Sequence, residues 1–183
     1  MVFDNFPWTN YHELNLDWII KQMQIIKQMT GQTRSFYQAT GVAEAATTLP
    51  IGNITQIPLA SAGSIAIGTA FEISTDGGIR VKEAGTYKVD ASAYIHAKRY
   101  NTSIGVYIYK GDNIGNAVEV TSARIAQDNS DSGFYGAFSV APKLVNLAAG
   151  QSVYLMARVT GSGDDGEIDD DNPATFLLIE RVD

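Results

Sequence analysis

Polarity alternates most clearly along residues 84–97, AGTYKVDASAYIHA. Tyr87, Val89, Ala91, Ala93 and Ile95 fall on one side, and Lys88, Asp90, Ser92 and His96 on the other. A period of two over this length predicts a half-buried β-strand. Tyr94 interrupts the polar side and needs a partner of its own. The pattern resumes at residues 103–109, where Ile104, Val106 and Ile108 share a face and Tyr107 and Tyr109 share the opposite one. The aliphatic face suits a sandwich core. The tyrosine face suits a partner chain, because Tyr is enriched at interfaces.

Further strands are predicted at 55–60, 70–74, 78–81, 118–125, 133–140, 151–159 and 175–182, with the two above at 85–97 and 103–110. Asp76-Gly77-Gly78, Lys110-Gly111-Asp112 and Ala149-Gly150 mark turns between them. Residues 151–159 set Val153, Leu155, Ala157 and Val159 against Tyr154, Met156 and Arg158. The last strand is apolar on both sides through Phe176, Leu177, Leu178 and Ile179. That predicts a central strand, covered by the core on one side and another subunit on the other. Many short strands with frequent turns predict an antiparallel sandwich or jelly roll.

The period changes towards the N-terminus. Leu16, Met23 and Thr30 take heptad position a, and Ile19 and Ile26 position d, which predicts a short helix over 14–29. Ile20, Ile25 and Met29 widen the stripe to a width that suits a trimeric coiled coil. The alternative is a helix packed on its own β-domain. Residues 1–13 carry Phe3, Phe6, Trp8 and Tyr11 around Pro7. These rings either cap the helix or dock into another protein. The expected organisation is an aromatic segment with its helix at 1–30, a linker at 31–53 and a β-domain at 54–183.

Composition narrows the function classes. The chain has 183 residues, enough for one domain with a core and an appendage, and 45% hydrophobic residues, a globular share. Without Cys it has neither disulfides nor thiolate sites. A net charge of −7 argues against nucleic-acid binding. No apolar run reaches membrane-spanning length, so no membrane insertion is expected. Asp4 and its polar neighbours stand where a secretion signal would be basic, so no export is expected.

Candidate chemistry is sparse. His12 and His96 lie in unrelated segments, and no nucleophile–base–acid order stands out, so the chain reads as non-enzymatic and without cofactor. Residues 161–173, GSGDDGEIDDDNP, cluster Asp164, Asp165, Glu167, Asp169, Asp170 and Asp171. They read as a solvated, self-repelling loop, with Asp164, Asp165, Asp169 and Asp170 as weak Ca²⁺ candidates because the spacing is not that of an EF-hand. At 98–102, KRYNT, Arg99 and Tyr100 are candidates to stack on and hydrogen-bond a sugar, and are equally ordinary turn residues.

Two resemblances organise these readings. Gly85, Tyr87 and Val89, then Leu147, Gly150, Val153 and Leu155, then Phe176 and the apolar residues after it, resemble C1q/TNF-like jelly-roll heads over residues 54–183. The last strand departs from that pattern in lacking a Gly between Phe176 and Leu178. The resemblance implies a homotrimer, with Tyr107, Tyr109, Leu177 and Ile179 at the subunit interface beside the helical seam of Leu16, Ile19, Met23 and Ile26.

The segment NFPWTNYHELNLDWI, residues 5–19, resembles the opening of fibre proteins of tailed bacteriophages. It implies a virion anchor made by Phe3, Phe6, Pro7, Trp8, Tyr11 and Trp18. The implied partners are other virion proteins at the N-terminus and a host-surface carbohydrate at the head. The implied location is the virion, assembled in the host cytoplasm. A virion decoration or joining protein with no host ligand is the alternative, since the anchor serves both. A secreted TNF-like ligand is disfavoured by the missing signal and disulfides.

Overall fold

The alternation at 85–97 becomes a strand whose burial follows it residue by residue. A computed structural model describes residues 36–40, 47–59, 65–67, 70–97, 102–127, 134–161, 166–168 and 174–182. All belong to the second of two units, Arg34–Asp183. The strands are β1 (Phe36–Thr40), β2 (Thr47–Leu49), β3 (Ile54–Ile57), β4 (Ile65–Ile67), β5 (Phe71–Ile73), β6 (Ile79–Val81), β7 (Gly85–Ala97), β8 (Thr102–Gly111), β9 (Val118–Gln127), β10 (Phe134–Leu147), β11 (Ser152–Gly161), β12 (Gly166–Ile168) and β13 (Phe176–Arg181). The helix predicted over 14–29, with its coiled coil, lies outside the described residues.

One sheet runs β2-β12-β7-β13-β1-β4, with β10 on the other edge of β7; the second runs β5-β6-β11-β8-β9, with β3 also on β11. Neighbours pair antiparallel throughout the described strands. The inward positions are those the period predicts: Tyr87, Val89, Ala91, Ala93 and Ile95 from β7, Ile104, Val106 and Ile108 from β8, and Val153, Leu155, Ala157 and Val159 from β11. Tyr87 is buried with its hydroxyl donating to the Glu83 carbonyl at 2.6 Å, so its one polar atom is satisfied inside the core. The Phe71 ring meets it edge-on at 5.8 Å.

Strand β13 is central, between β7 and β1. Its inward residues are Leu177 and Ile179, both with no exposed surface. That corrects their expected place at a subunit interface: they pair in register with Ala91 and Val89 and fill the chain's own core. The outward side carries Phe176, Leu178 and Glu180, all half-buried.

Three further differences have local causes. Residues 31–53 are not merely a linker, because β1 pairs with β13 and β2 with β12. Residues 166–168 of the acidic stretch form β12, which lies between β2 and β7. Strand β10 continues past Val140 to Leu147 through a bulge between Val140 and Lys143. Pro142, which has no N–H to give a ladder, sits in that bulge.

The head therefore begins before Ile54. Tyr37 and Ala39 of β1 and Leu49 of β2 are buried in the core, and each large apolar side chain contributes roughly 1.5–3 kcal/mol. A chain starting at Arg34 is expected to melt cooperatively. One starting at Ile54 is expected to aggregate or lose its sharp transition. Equal calorimetric melts for the two truncations would show that β1 and β2 are dispensable.

Candidate functional site

The outward face of the second sheet is built from the registers of three strands. Arg158 of β11 lies opposite Gly105 of β8, and Gly105 lies opposite Arg124 of β9. The next rows are Met156, Tyr107 and Ser122 on one side, and Thr160, Ser103 and Ala126 on the other. Gly105 leaves a gap in this face, and the Tyr107 ring leans back along the strand into it. A Cβ added at Gly105 would stand 2.5 Å from the tyrosine hydroxyl, so the close approach requires glycine.

The Arg124 guanidinium sits 5.6 Å from the Tyr107 ring centroid, within cation–π range. Tyr109 meets Tyr107 edge-on at 6.4 Å. Tyr107, Tyr154 and Met156 form a second buried cluster on this outer face, flanked by Tyr109, Ile114 and Ala117. Tyr107 keeps only 2% of its surface exposed. The tyrosine side of β8 thus finds much of its cover within the chain, and Tyr107 is not a free interface residue. Burial pushes the Tyr109 hydroxyl above its ordinary pKa, helped by the negative charge of Glu119.

Above Gly105 opens a cavity of about 160 Å³, lined by Ser103, Ile104, Gly105, Tyr107, Arg124, Arg158 and Thr160. The Ser103 and Thr160 hydroxyls hydrogen-bond each other at one end. Arg158 Nε is buried with no acceptor. This lining offers two cations and three hydroxyls and no carboxylate.

A second polar group anchors the rim of the same face. Asp76 Oδ2 accepts from the Tyr154 hydroxyl at 2.7 Å and from the Ile114 N–H at 3.1 Å, while Ser74 donates to Oδ1. Gly78 is required next to this turn, since a Cβ there would stand 2.6 Å from the Tyr154 ring. Partial burial raises the Asp76 pKa, but the hydrogen bonds from Ser74, Tyr154 and Ile114 outweigh it and hold the carboxyl below its ordinary 3.8. Burial, then the bond to Asp76, pushes Tyr154 up to about 12. The group joins the turn before β6 to β11 and to the short 3₁₀ turn Ile114–Asn116.

Asp76→Ala leaves a tyrosine hydroxyl and an N–H without their acceptor. The expected loss is about 2 kcal/mol, a fall in Tm of roughly 4–8 °C for a chain of this size. Because the folded pKa of Asp76 is depressed, its contribution is complete above 3.8 and is lost as pH falls through the lower folded value. The gap in Tm between wild type and variant should therefore narrow in acid. A gap independent of pH would show that the charge does not matter.

The other sequence candidates are scattered. His96 faces Glu167 across β7 and β12, with Nδ1 and Oε2 4.0 Å apart. Arg99, Tyr100, His12, the acidic residues Asp164, Asp165, Asp169, Asp170 and Asp171, the anchor residues Phe3, Phe6, Pro7, Trp8, Tyr11 and Trp18, and the seam residues Leu16, Ile19, Met23 and Ile26 lie outside the described residues. The sequence pattern does not single out Arg124, Arg158 or Gly105. The available signal was a glycine inside a strongly alternating strand and an arginine on the tyrosine side of β11.

Comparison with solved structures gives the fold a relative. Murine APRIL at pH 5.0 superposes with a TM-score of 0.59 at 16% identity, covering 81% of this chain and 99% of that one. Eiger TNF from S. frugiperda superposes with a TM-score of 0.56 at 12% identity, covering 83% and 94%. The fold is thus a TNF-like jelly roll. No protein-family model and no curated protein sequence matches the chain.

Proposed function

We propose that this chain is a non-enzymatic bacteriophage virion fibre. It acts as a homotrimer, is anchored to the particle by its N-terminal segment, and presents the jelly-roll head for attachment to a host-surface carbohydrate. The observation that carries the attachment role is the cavity over Gly105, a concave, polar, donor-rich site on the outer sheet. The anchor rests on the resemblance of residues 5–19 to phage fibre openings. The trimer is supported by the TNF-like fold and by the outward face of the first sheet. There Tyr94, Phe176 and Leu178 stand on adjacent strands: Phe176 opposite Ser92, Leu178 opposite Asp90, and Tyr94 opposite Ala137. A doubly apolar central strand has a second face to cover.

The test is to locate the protein. Antibody labelling of intact particles by electron microscopy should place it on the virion, and the purified head should adhere to host cells. Labelling without cell adhesion would favour the decoration or joining protein, whose head meets another virion component. No labelling of the particle would overturn both.

A further inference from the structure

We infer that the cavity over Gly105 binds an oxyanion carried on a sugar or polyol: the carboxylate of an acidic sugar or the phosphate of a polyol-phosphate chain. This deepens the attachment reading and rests on it for its biological setting, but the chemistry comes from the lining alone.

The lining is one-sided. Arg158 and Arg124 flank Gly105 in one row of the sheet. Adjacent strands lie about 4.8 Å apart, so the two arginines rise from backbones roughly 10 Å apart, with a floor between them formed by Gly105 and the Tyr107 ring that leans over it. An oxyanion resting on that floor is within reach of both. Among the described residues neither arginine forms an ion pair. Buried donors in native proteins nearly always have an acceptor, and one that lacks it calls for an explanation. Arg158 meets that description: its Nε is buried and unbonded.

The remaining groups add hydroxyls. The Tyr107 hydroxyl lies over Gly105 and bonds to no other described residue. Ser103 and Thr160 share a hydrogen bond at the far end, where the Thr160 hydroxyl also donates to the Ser103 carbonyl at 3.5 Å. Arginine suits this task because its planar fork matches carboxylate and phosphate. The two arginines are concentrated on a chain whose net charge is −7, so the overall field does not produce this patch. The volume of about 160 Å³ is well below that of a drug-sized site, which takes roughly 300–1,000 Å³. It fits one sugar residue or one phosphate group of a polymer whose remainder lies along the sheet surface.

Calorimetric titration of the full-length chain tests the assignment with three probes: a glucuronate-containing disaccharide, a glycerol-phosphate dimer and neutral cellobiose. At least one anionic probe is expected to bind, more weakly at high salt, and cellobiose is not. Which anion binds distinguishes the carboxylate from the phosphate source. Arg158→Gln and Arg124→Gln are each expected to weaken binding about tenfold or more, with Tm held near the wild-type value. Gly105→Ala, which drives a Cβ into the Tyr107 ring, should weaken binding as well. Binding of cellobiose equal to that of the anions, binding of none of the three, or anion binding indifferent to both arginine variants overturns the inference. These readouts need no virion. Anion binding by a protein absent from the particle would overturn the fibre reading alone, and particle labelling without anion binding would overturn the cavity assignment alone.

Discussion

Leu178→Asp is expected to turn a trimer into a folded monomer. Leu178 lies on the outward side of β13, half-buried, between the core residues Leu177 and Ile179. Replacing it leaves the inward side of the strand untouched, and the sandwich should still fold. Leu178 faces Asp90 across the β7–β13 pair, so the new carboxylate also meets a like charge. In a trimer formed through this face, each copy would lose the roughly 1.5–3 kcal/mol of a buried leucine. Each would also gain a charge whose desolvation costs several kcal/mol. Summed over three copies, this exceeds what most assemblies can absorb. Light scattering should show the wild type at the mass of three chains and the variant at the mass of one, with the same strand-type circular dichroism. A variant that stays trimeric would move the contact to another face. A wild type that is already monomeric at micromolar concentration would remove the trimer from the proposal.

Leu178 also shows where sequence reasoning stops. The alternation in β7, β8 and β11 is readable because each sets a mainly aliphatic side against a side that is mostly polar or aromatic, so the inward face is unambiguous. Strand β13 is apolar on both sides, and periodicity cannot say which side points in. The register decides, by setting Leu177 against Ala91 and Ile179 against Val89. The shortest strands fail for a different reason. Three residues such as Thr47–Leu49 or Gly166–Ile168 carry no period, and they exist because Glu167 has Thr48 on one side and His96 on the other. Strand β10 is hidden by Pro142, which reads as a strand end and is accommodated in a bulge. The cavity is the extreme case. Arg124 and Arg158 belong to separate strands and meet only because both pair with Gly105 in β8. Nothing local in the sequence brings them together. The hints were Gly105, as a missing side chain in an otherwise regular alternation, and Arg158 on the tyrosine side of β11.

The double substitution Phe6→Ala with Trp8→Ala is expected to abolish incorporation into particles while leaving the head folded and trimeric. Both residues belong to the segment that resembles phage fibre openings, and neither is in the unit Arg34–Asp183 that contains the sandwich. Large aromatic groups crowded into so few residues cannot bury one another, so a segment of this composition gains most by docking into a ready-made socket. Pro7 adds direction, because the residue before a proline is pushed into extended conformations. Burying each ring is worth roughly 1.5–3 kcal/mol, so removing two from each of three copies forfeits on the order of 10 kcal/mol. That corresponds to about a 10⁷-fold loss in affinity, far beyond what contacts elsewhere in a short anchor could restore. The measurement is the protein content of purified particles made with the double variant, beside light scattering and a melt of the isolated chain. Absence from particles with an intact head assigns attachment to these rings. Normal incorporation would show that the aromatics do not carry the attachment and that the chain holds the particle through another surface.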